Sequence, residues 1–286
     1  MQTVNLNNGI TMPQLGFGVF QMEDLVECYQ AVTAAIKAGY RLFDTAATYG
    51  NEAAVGRAIR ESGIPRDHFF VTSKMWIQDY QGTKPQAAID QSLTNLGLDY
   101  IDLYLVHMPY GDVFNAWRAM EKAYQIGKLR AIGVSNFSPD QVTNLMLFNS
   151  VKPAVNQLET NPWNQQHTNL RFNQKQHIQV EAWAPFAEGK DQIFTNAVLT
   201  KIARAHHKTT GQVILRWLLQ RGIVVIAKSV HQGRIQKNID VFDFSLSETE
   251  IQLIGELDRQ TSQFFDPHDP AAIKTIVKGG RPGANH

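Results

Sequence analysis

The chain has 286 residues, a hydrophobic fraction of 43% and a formal net charge of +1. This apolar content is typical of a globular protein with a full core, and the near-neutral charge excludes a general attraction to nucleic acid or anionic membranes. The only cysteine, Cys28, excludes an intramolecular disulfide and favours a reducing compartment. Cys28 falls in an apolar helical pattern, so we expect a buried thiol rather than a nucleophile.

The N-terminal segment has neither the positive flank nor the apolar run of a signal peptide. No apolar stretch approaches the roughly 20 residues that a membrane-spanning helix needs. We therefore expect a cytoplasmic protein with no membrane or nucleic-acid partner.

The sequence opens with a predicted β-hairpin, because apolar segments at 3–6 and 10–12 flank an Asn-Asn-Gly turn. A short strand at 15–18 follows, and strand and helix patterns then alternate. The further predicted strands are 41–43, 69–73, 101–106, 131–134, 154–157, 178–183 and 223–226. The predicted helices are 25–38, 52–61, 85–96, 113–126, 140–148, 170–176, 196–206, 210–220, 233–240 and 248–257.

Eight short apolar strands alternating with helices favour a closed (β/α)₈ TIM barrel over an open doubly wound sheet. Two helices, 210–220 and 248–257, are additional to the alternation. No linker interrupts the pattern, so we expect one domain over residues 1–286. The segment 261–286 lacks clear periodicity and predicts a loop over the barrel mouth, with a frayed end at 281–286.

Three of the predicted strands run into an ionisable residue, namely Asp44, Lys74 and His107, and Tyr49 follows the first of them. The three strand ends are about one strand-plus-helix unit apart. In a barrel of parallel strands this spacing brings all four side chains to the C-terminal mouth, where barrel enzymes keep their catalytic residues.

These four side chains suit the transfer of a proton to an oxygen that is becoming an alkoxide. The Lys74 ammonium would lower the pKa of the Tyr49 phenol, and Asp44 would hold that ammonium in place. A neutral His107 would donate a hydrogen bond to the substrate oxygen. Each residue alone has an ordinary structural explanation, such as a turn cap, an ion pair or core packing, but their joint placement favours catalysis.

A basic loop follows the last predicted strand, where Lys228, Ser229 and Arg234 precede a helix. Barrel enzymes often bind phosphate with this loop and a nearby helix N-terminus. A solvated basic stretch is the alternative, and the residues alone leave both open. The Gly-x-Gly-x-x-Gly fingerprint of a Rossmann site is missing, so we do not expect one.

Several segments resemble the aldo-keto reductase family. They are DTAATYGNE at 44–52, LDYIDLYLVH at 98–107, GKLRAIGVSNF at 127–137 and IAKSV at 226–230. The resemblance runs from about residue 15 to residue 257. GFGVF at 16–20 and DVFDF at 240–244 resemble the bacterial 2,5-diketo-gluconate reductase branch.

The resemblance implies hydride transfer from NADPH to an aldehyde or ketone. It makes Tyr49 the proton donor, with Lys74 lowering its pKa, Asp44 pairing with Lys74, and His107 orienting the carbonyl. The implied contacts of the nicotinamide are Ser135, Asn136, Gln157 and Trp183. The implied contacts of the adenosine 2′-phosphate and adenine are Lys228, Ser229, Val230, Arg234 and Asn238. The implied walls of the substrate pocket are Phe20, Trp76, His107 and Met108.

Some positions depart from the family pattern. Met108 stands where many members have Trp, and Ala227 stands where proline usually precedes Lys228. The loop at 108–112 is short and predicts an open mouth. We therefore expect a broad preference for small aldehydes, dicarbonyls and keto-sugars.

Two other functions compete with carbonyl reduction. A non-catalytic relative, such as a channel-associated β-subunit, would bind the cofactor without turnover, but the complete set of four argues against it. A phosphate-handling isomerase or aldolase would explain Lys74 and the basic loop but not the implied nicotinamide contacts. We expect a monomer without a metal site.

Overall fold

The computed structural model describes residues 2–278, which form ten strands and eleven α-helices. The segment 281–286, predicted as a frayed end, lies outside the described residues. The predicted hairpin is present as β1 (Thr3–Asn5) and β2 (Thr11–Pro13), paired antiparallel.

Eight further strands pair in parallel and close on themselves, which confirms the predicted (β/α)₈ barrel. They are β3 (Leu15–Gly18), β4 (Leu42–Asp44), β5 (Phe70–Met75), β6 (Ile101–Val106), β7 (Leu129–Ser135), β8 (Val155–Glu159), β9 (Gln179–Trp183) and β10 (Val224–Ala227). The order around the barrel is β10-β3-β4-β5-β6-β7-β8-β9, so β3 and β10 close the ring.

The barrel interior is apolar where its strands begin and polar where they end. Leu42 and Phe70, the first residues of β4 and β5, form a buried cluster with Leu103 of β6 and with Leu6 and Met12 of the hairpin region. The hairpin therefore closes the N-terminal end of the barrel.

Packing inside the barrel is tight around Gly16. A Cβ atom at this position would lie 2.6 Å from side-chain atoms of both Ile226 and Leu42. Only glycine allows the first barrel strand to approach its two neighbours this closely.

The helices surround the barrel. They are α1 (Leu25–Ala38), α2 (Glu52–Glu61), α3 (Lys84–Leu96), α4 (Val113–Gln125), α5 (Pro139–Leu147), α6 (His167–Lys175), α7 (Ala197–Ala205), α8 (Thr210–Gln220), α9 (Gln232–Ile239), α10 (Glu248–Gly255) and α11 (Pro270–Val277). Within residues 2–278, no helix combines the length and the apolar character needed to cross a bilayer.

Helix α1 shows why the sequence predicts these elements well. The side chain of Asp24 accepts hydrogen bonds from the first-turn amides of Val26 and Glu27. At the other end, Gly39 adopts a φ of 105°, in the left-handed region that glycine enters without strain. Cys28 is buried in this helix, and burial followed by the charge of Glu27 raises the pKa of its thiol to about 12.

The prediction of a structureless tail is wrong for α11. Asp269 caps this helix by accepting from the amides of Ala271 and Ala272, and Pro270 occupies its first turn. Within the described part of the chain, three helices (α8, α10 and α11) rather than two are therefore additional to the strand–helix alternation.

The tail crosses the barrel mouth, as predicted. Glu159, at the end of β8, accepts from the Ser262 hydroxyl at 2.5 Å and from the Gln263 amide at 2.9 Å. Tyr110, in the loop after β6, donates its hydroxyl to the carbonyl of Pro267 at 2.9 Å. The tail is thus attached to two separate sides of the mouth.

Candidate active site

The structure brings the four predicted catalytic residues together. Asp44 ends β4, Tyr49 ends the 3₁₀ turn Ala47–Tyr49, Lys74 lies in β5, and His107 directly follows β6. The Lys74 ammonium is 2.6 Å from Asp44 Oδ1 and 3.5 Å from Tyr49 Oη. The ring centroids of Tyr49 and His107 are 5.8 Å apart. These side chains therefore form one cluster at the C-terminal mouth.

The turn that carries Tyr49 is anchored by Asn51. The Asn51 side chain accepts from the Thr45 hydroxyl at 2.8 Å. Its amide nitrogen donates to the backbone carbonyls of Val19 and Met22, in the loop after β3. Because Asn51 is fully buried, these bonds are shielded from water and fix the turn against the neighbouring loop.

Lys74 is charged and Tyr49 is protonated at neutral pH. Burial lowers the pKa of Lys74, but the opposing effects of the Asp44 carboxylate and Tyr49 are together larger. The pKa of Lys74 therefore lies above its ordinary value. Burial raises the pKa of Tyr49, and the Lys74 charge only partly opposes this. Lys74 therefore acts on the Tyr49 pKa with the predicted sign, although burial makes the net change upward.

His107 is a neutral imidazole. Its pKa lies well below the ordinary value because of burial and then the Lys74 charge. Its Nδ1 atom is buried and has no hydrogen-bond partner among the described residues. The Trp76 ring packs edge-on, with centroids 5.0 Å apart. A neutral imidazole carries one N–H, which suits it to donate to a substrate oxygen.

A buried polar chain continues beneath the four residues. The side-chain amide nitrogen of Gln157 donates to Asp44 Oδ2 at 2.8 Å and to Glu181 Oε2 at 2.6 Å. Glu181 is fully buried in β9, directly opposite Gln157 in the strand register. Sequence reasoning missed Glu181, because Gln179 in the same strand is also polar and only the strand register pairs Glu181 with Gln157.

The implied nicotinamide contacts also lie together at the mouth. The Ser135 hydroxyl donates to the backbone carbonyl of Gln157 at 2.9 Å. Asn136 donates to the His107 carbonyl at 3.1 Å and accepts from the Trp183 indole at 2.9 Å. In the described part of the chain, Gln157 Oε1 accepts no hydrogen bond. This oxygen is thus available to a carboxamide N–H.

The basic loop after β10 fits a phosphate group. Lys228 and Arg234 are exposed, and neither side chain is paired with another described residue. The Ser229 hydroxyl accepts from the amide of His231 at 3.1 Å, directly before α9. In the part of the chain that the structure describes, no side chain caps the N-terminus of α9, so the amides of Gln232 and Gly233 are available to an anion. Two further predicted contacts, Val230 and Asn238, are half-buried and buried respectively.

The predicted pocket walls surround Tyr49 and His107. The Phe20 ring lies 4.9 Å from the Tyr49 ring, measured between centroids. Met108 is buried, and its sulfur accepts from the Asn136 amide at 3.3 Å. These contacts place Phe20, Trp76 and Met108 around the mouth.

Phe264 in the tail packs against Trp183, a contact that sequence reasoning missed. The centroids of the Phe264 and Trp183 rings are 5.0 Å apart. The Lys190 ammonium lies 4.3 Å from the centroid of the Phe264 ring. A cavity of about 430 Å³ lies between this tail and the ends of β7 and β8. The tail carries no periodic pattern that would have marked Phe264 in advance.

The arrangement is suited to proton transfer. A protonated phenol, a buried ammonium and a neutral imidazole face one opening, with an apolar wall around them. Within residues 2–278, no group of three or more His, Cys, Asp and Glu side chains is placed to bind a metal ion.

Comparison with known proteins places this geometry in a family. The profile of the Aldo/keto reductase family matches residues 14–259. Glyoxal reductase of Bacillus subtilis is 47% identical over 90% of this chain and 93% of its own length. A 9,11-endoperoxide prostaglandin H2 reductase of Trypanosoma cruzi is 46% identical over 92% of this chain and 94% of its own length.

A solved structure agrees with these relatives. The Bombyx mori aldo-keto reductase in complex with NADP has a TM-score of 0.87 and 34% sequence identity, covering 99% of both chains. The fold, the family profile and the identities lead to the same conclusion, and this chain belongs to the aldo/keto reductase family of oxidoreductases.

Proposed function

We propose that this protein reduces aldehydes and ketones to alcohols with NADPH, and that Tyr49 donates the proton. The observation that carries the proposal is the position of the Lys74 ammonium, between the Asp44 carboxylate at 2.6 Å and the Tyr49 hydroxyl at 3.5 Å. Family membership and the NADP complex of the Bombyx mori relative support the cofactor.

The proton comes from Tyr49. The phenol transfers it to the carbonyl oxygen as that oxygen gains negative charge, and the nearby Lys74 ammonium stabilises the phenolate left behind. Asp44 keeps Lys74 charged and in place. The reduced nicotinamide, when bound, supplies the hydride.

His107 orients the substrate. Its neutral imidazole donates a hydrogen bond to the carbonyl oxygen, which polarises the carbonyl and places the oxygen within reach of Tyr49. Phe20, Trp76 and Met108 enclose the reacting group and limit the access of water. A drier site strengthens each of these electrostatic interactions.

The cofactor is held at two places. Ser135, Asn136 and Gln157 bind the nicotinamide carboxamide, and Trp183 packs against the nicotinamide ring. Around the basic loop, the adenosine 2′-phosphate and adenine are bound by Lys228, Ser229, Val230, Arg234 and Asn238. The two exposed cations Lys228 and Arg234 favour NADPH over NADH, because only NADPH carries the additional phosphate.

The substrates are small aldehydes, dicarbonyls and keto-sugars. The similarity to a glyoxal reductase supports dicarbonyls in particular. Methionine at position 108 leaves a flexible apolar wall beside His107, which adapts to substrates of different shape. The protein acts as a monomer in the cytoplasm, as one domain over residues 1–286.

The test is a substrate panel with purified protein. Methylglyoxal, a bulky aldehyde and a keto-sugar are each mixed with NADPH or NADH, and loss of the reduced-nicotinamide absorbance is followed. We expect turnover with NADPH and comparable kcat/KM for the small and the bulky aldehyde. NADPH binding without turnover would favour a cofactor-sensing role. A failure of NADPH to quench tryptophan fluorescence would favour an isomerase or aldolase.

A further inference from the structure

Glu181 is a carboxyl group at the centre of the barrel that the reaction described above does not use. Its Oε2 atom accepts from the Gln157 amide nitrogen at 2.6 Å. Its Oε1 atom is buried and has no hydrogen-bond partner among the described residues. The same Gln157 nitrogen donates its second hydrogen to Asp44 at 2.8 Å. One amide group therefore joins two buried carboxyl groups.

The two carboxyl groups of this buried cluster differ in their charge partners. Asp44 is paired with the Lys74 ammonium, whereas Glu181 forms no ion pair within residues 2–278. Burial, and then the negative charge of Asp44, raise the pKa of Glu181 to about 8. At neutral pH the cluster thus holds one carboxylate, one ammonium and one neutral carboxyl group.

We propose that Glu181 is a positioning residue for carbonyl reduction, because it fixes the Gln157 amide beneath the Lys74–Tyr49 pair. With both amide hydrogens bound inside the barrel, Gln157 can present only its Oε1 oxygen to the mouth. There it accepts from the N–H of the nicotinamide carboxamide. This role rests on the proposed function, since it acts on the same cofactor site.

The charge state of Glu181 also affects the proton donor. The titratable groups that face it are Asp44 from β4, Lys74 from β5 and Tyr49 from the turn after β4. Its strand neighbours, Gln157 and Val224, do not titrate. Ionised Glu181 raises the pKa of Tyr49, so a rise in pH makes Tyr49 a weaker donor. Carbonyl reduction should therefore decline as Glu181 loses its proton.

Two substitutions test the role. Glu181→Gln keeps an oxygen acceptor for Gln157 but cannot ionise, whereas Glu181→Leu removes the acceptor. We expect Glu181→Leu to weaken NADPH binding by about tenfold, measured by quenching of tryptophan fluorescence. Glu181→Gln should restore binding to within about threefold of wild type. It should also lose the decline of kcat/KM between about pH 7 and 9. Glu256→Gln, an exposed change, is the control.

An infrared titration tests the same inference without turnover. Other aspartates and glutamates ordinarily ionise well below pH 6, so a protonated-carboxyl band that fades between about pH 6 and 9 reports Glu181. We expect this band in the wild type and its loss in Glu181→Gln.

The outcomes separate the two proposals. Wild-type NADPH binding and pH profile in Glu181→Leu would overturn the positioning role. If Glu181→Leu fails to fold, an unchanged alkaline decline in Glu181→Gln would overturn it instead. A wild-type protein that shows the infrared band and binds NADPH but reduces no carbonyl would contradict the proposed function alone.

Discussion

Lys74 and Asp44 form an ion pair with side-chain exposures of 0% and 7%, joined at 2.6 Å. Two charges so far from water are stable only together, because each compensates for the other's lost hydration. The pair is thus as much a feature of the fold as of the catalytic site.

Replacing Lys74 alone should destabilise the protein. Lys74→Met leaves the Asp44 carboxylate buried without its cation, and we expect a loss of about 3–5 kcal/mol in the free energy of unfolding. Urea denaturation measures it. The double variant Lys74→Met/Asp44→Asn should recover a large part of the loss while remaining inactive. A double variant no more stable than the single one would contradict this explanation.

Tyr49→Phe should separate catalysis from binding. Removal of the phenol hydroxyl should lower kcat for carbonyl reduction by about 10²–10⁴-fold, the usual contribution of a general acid. NADPH affinity and the melting temperature should change little, since among the described residues the hydroxyl makes one long contact, 3.5 Å from the Lys74 ammonium. Wild-type turnover in this variant would reject Tyr49 as the proton donor.

The low pKa of His107 predicts how kcat/KM depends on pH below neutrality. Because the folded imidazole stays neutral well below its ordinary pKa, kcat/KM should not fall between about pH 7 and 6. A titration step near pH 6.5 that disappears in His107→Gln would contradict this.

The same shift affects stability. The unfolded chain protonates His107 below about pH 6.5, whereas the folded protein does not, so acid favours the unfolded state. We expect the free energy of unfolding to fall less between about pH 7.5 and 5.5 in His107→Gln than in the wild type. Urea denaturation at both pH values provides the comparison.

Arg234→Ala should weaken the preference for NADPH. Loss of one charge-assisted contact to the 2′-phosphate should raise KM for NADPH by about tenfold or more, with KM for NADH unchanged. Lys201→Ala, an exposed cation on α7, is the matched control. Equal changes in both KM values would show that Arg234 does not contact the 2′-phosphate.

Ser262→Ala should loosen the tail locally. The Ser262 hydroxyl donates to Glu159 and accepts from the amides of Phe264 and Phe265 at 3.1 Å each. Hydrogen exchange at these two amides should become faster, with a change of about 1 kcal/mol or less in global stability. Thr261→Ala, whose hydroxyl donates to the Arg259 carbonyl, is the control. Unchanged exchange would show that other contacts hold the tail.

The sequence allowed the barrel and much of the site to be predicted, for a physical reason. Asp44, Lys74 and His107 each follow or end an apolar strand pattern and are about one strand-plus-helix unit apart. Their spacing alone was therefore enough to assign them to one mouth. Glu181 could not, because its role depends on the register that places it opposite Gln157. Phe264 escaped prediction because the tail is positioned by contacts with distant parts of the chain, such as Glu159, rather than by any local periodicity.

The hairpin at the N-terminal end of the barrel restricts the route by which protons, substrate and product reach the site. Leu6 and Met12 belong to the buried apolar cluster that closes this end of the barrel, and such a cluster offers no hydrogen-bonded path for a proton. In the proposed reaction, protons that replenish Tyr49 then arrive through the C-terminal mouth, along the route that substrate and product also take. In the proposed reaction, reprotonation of Tyr49 and release of the product therefore take place one after the other through the same opening.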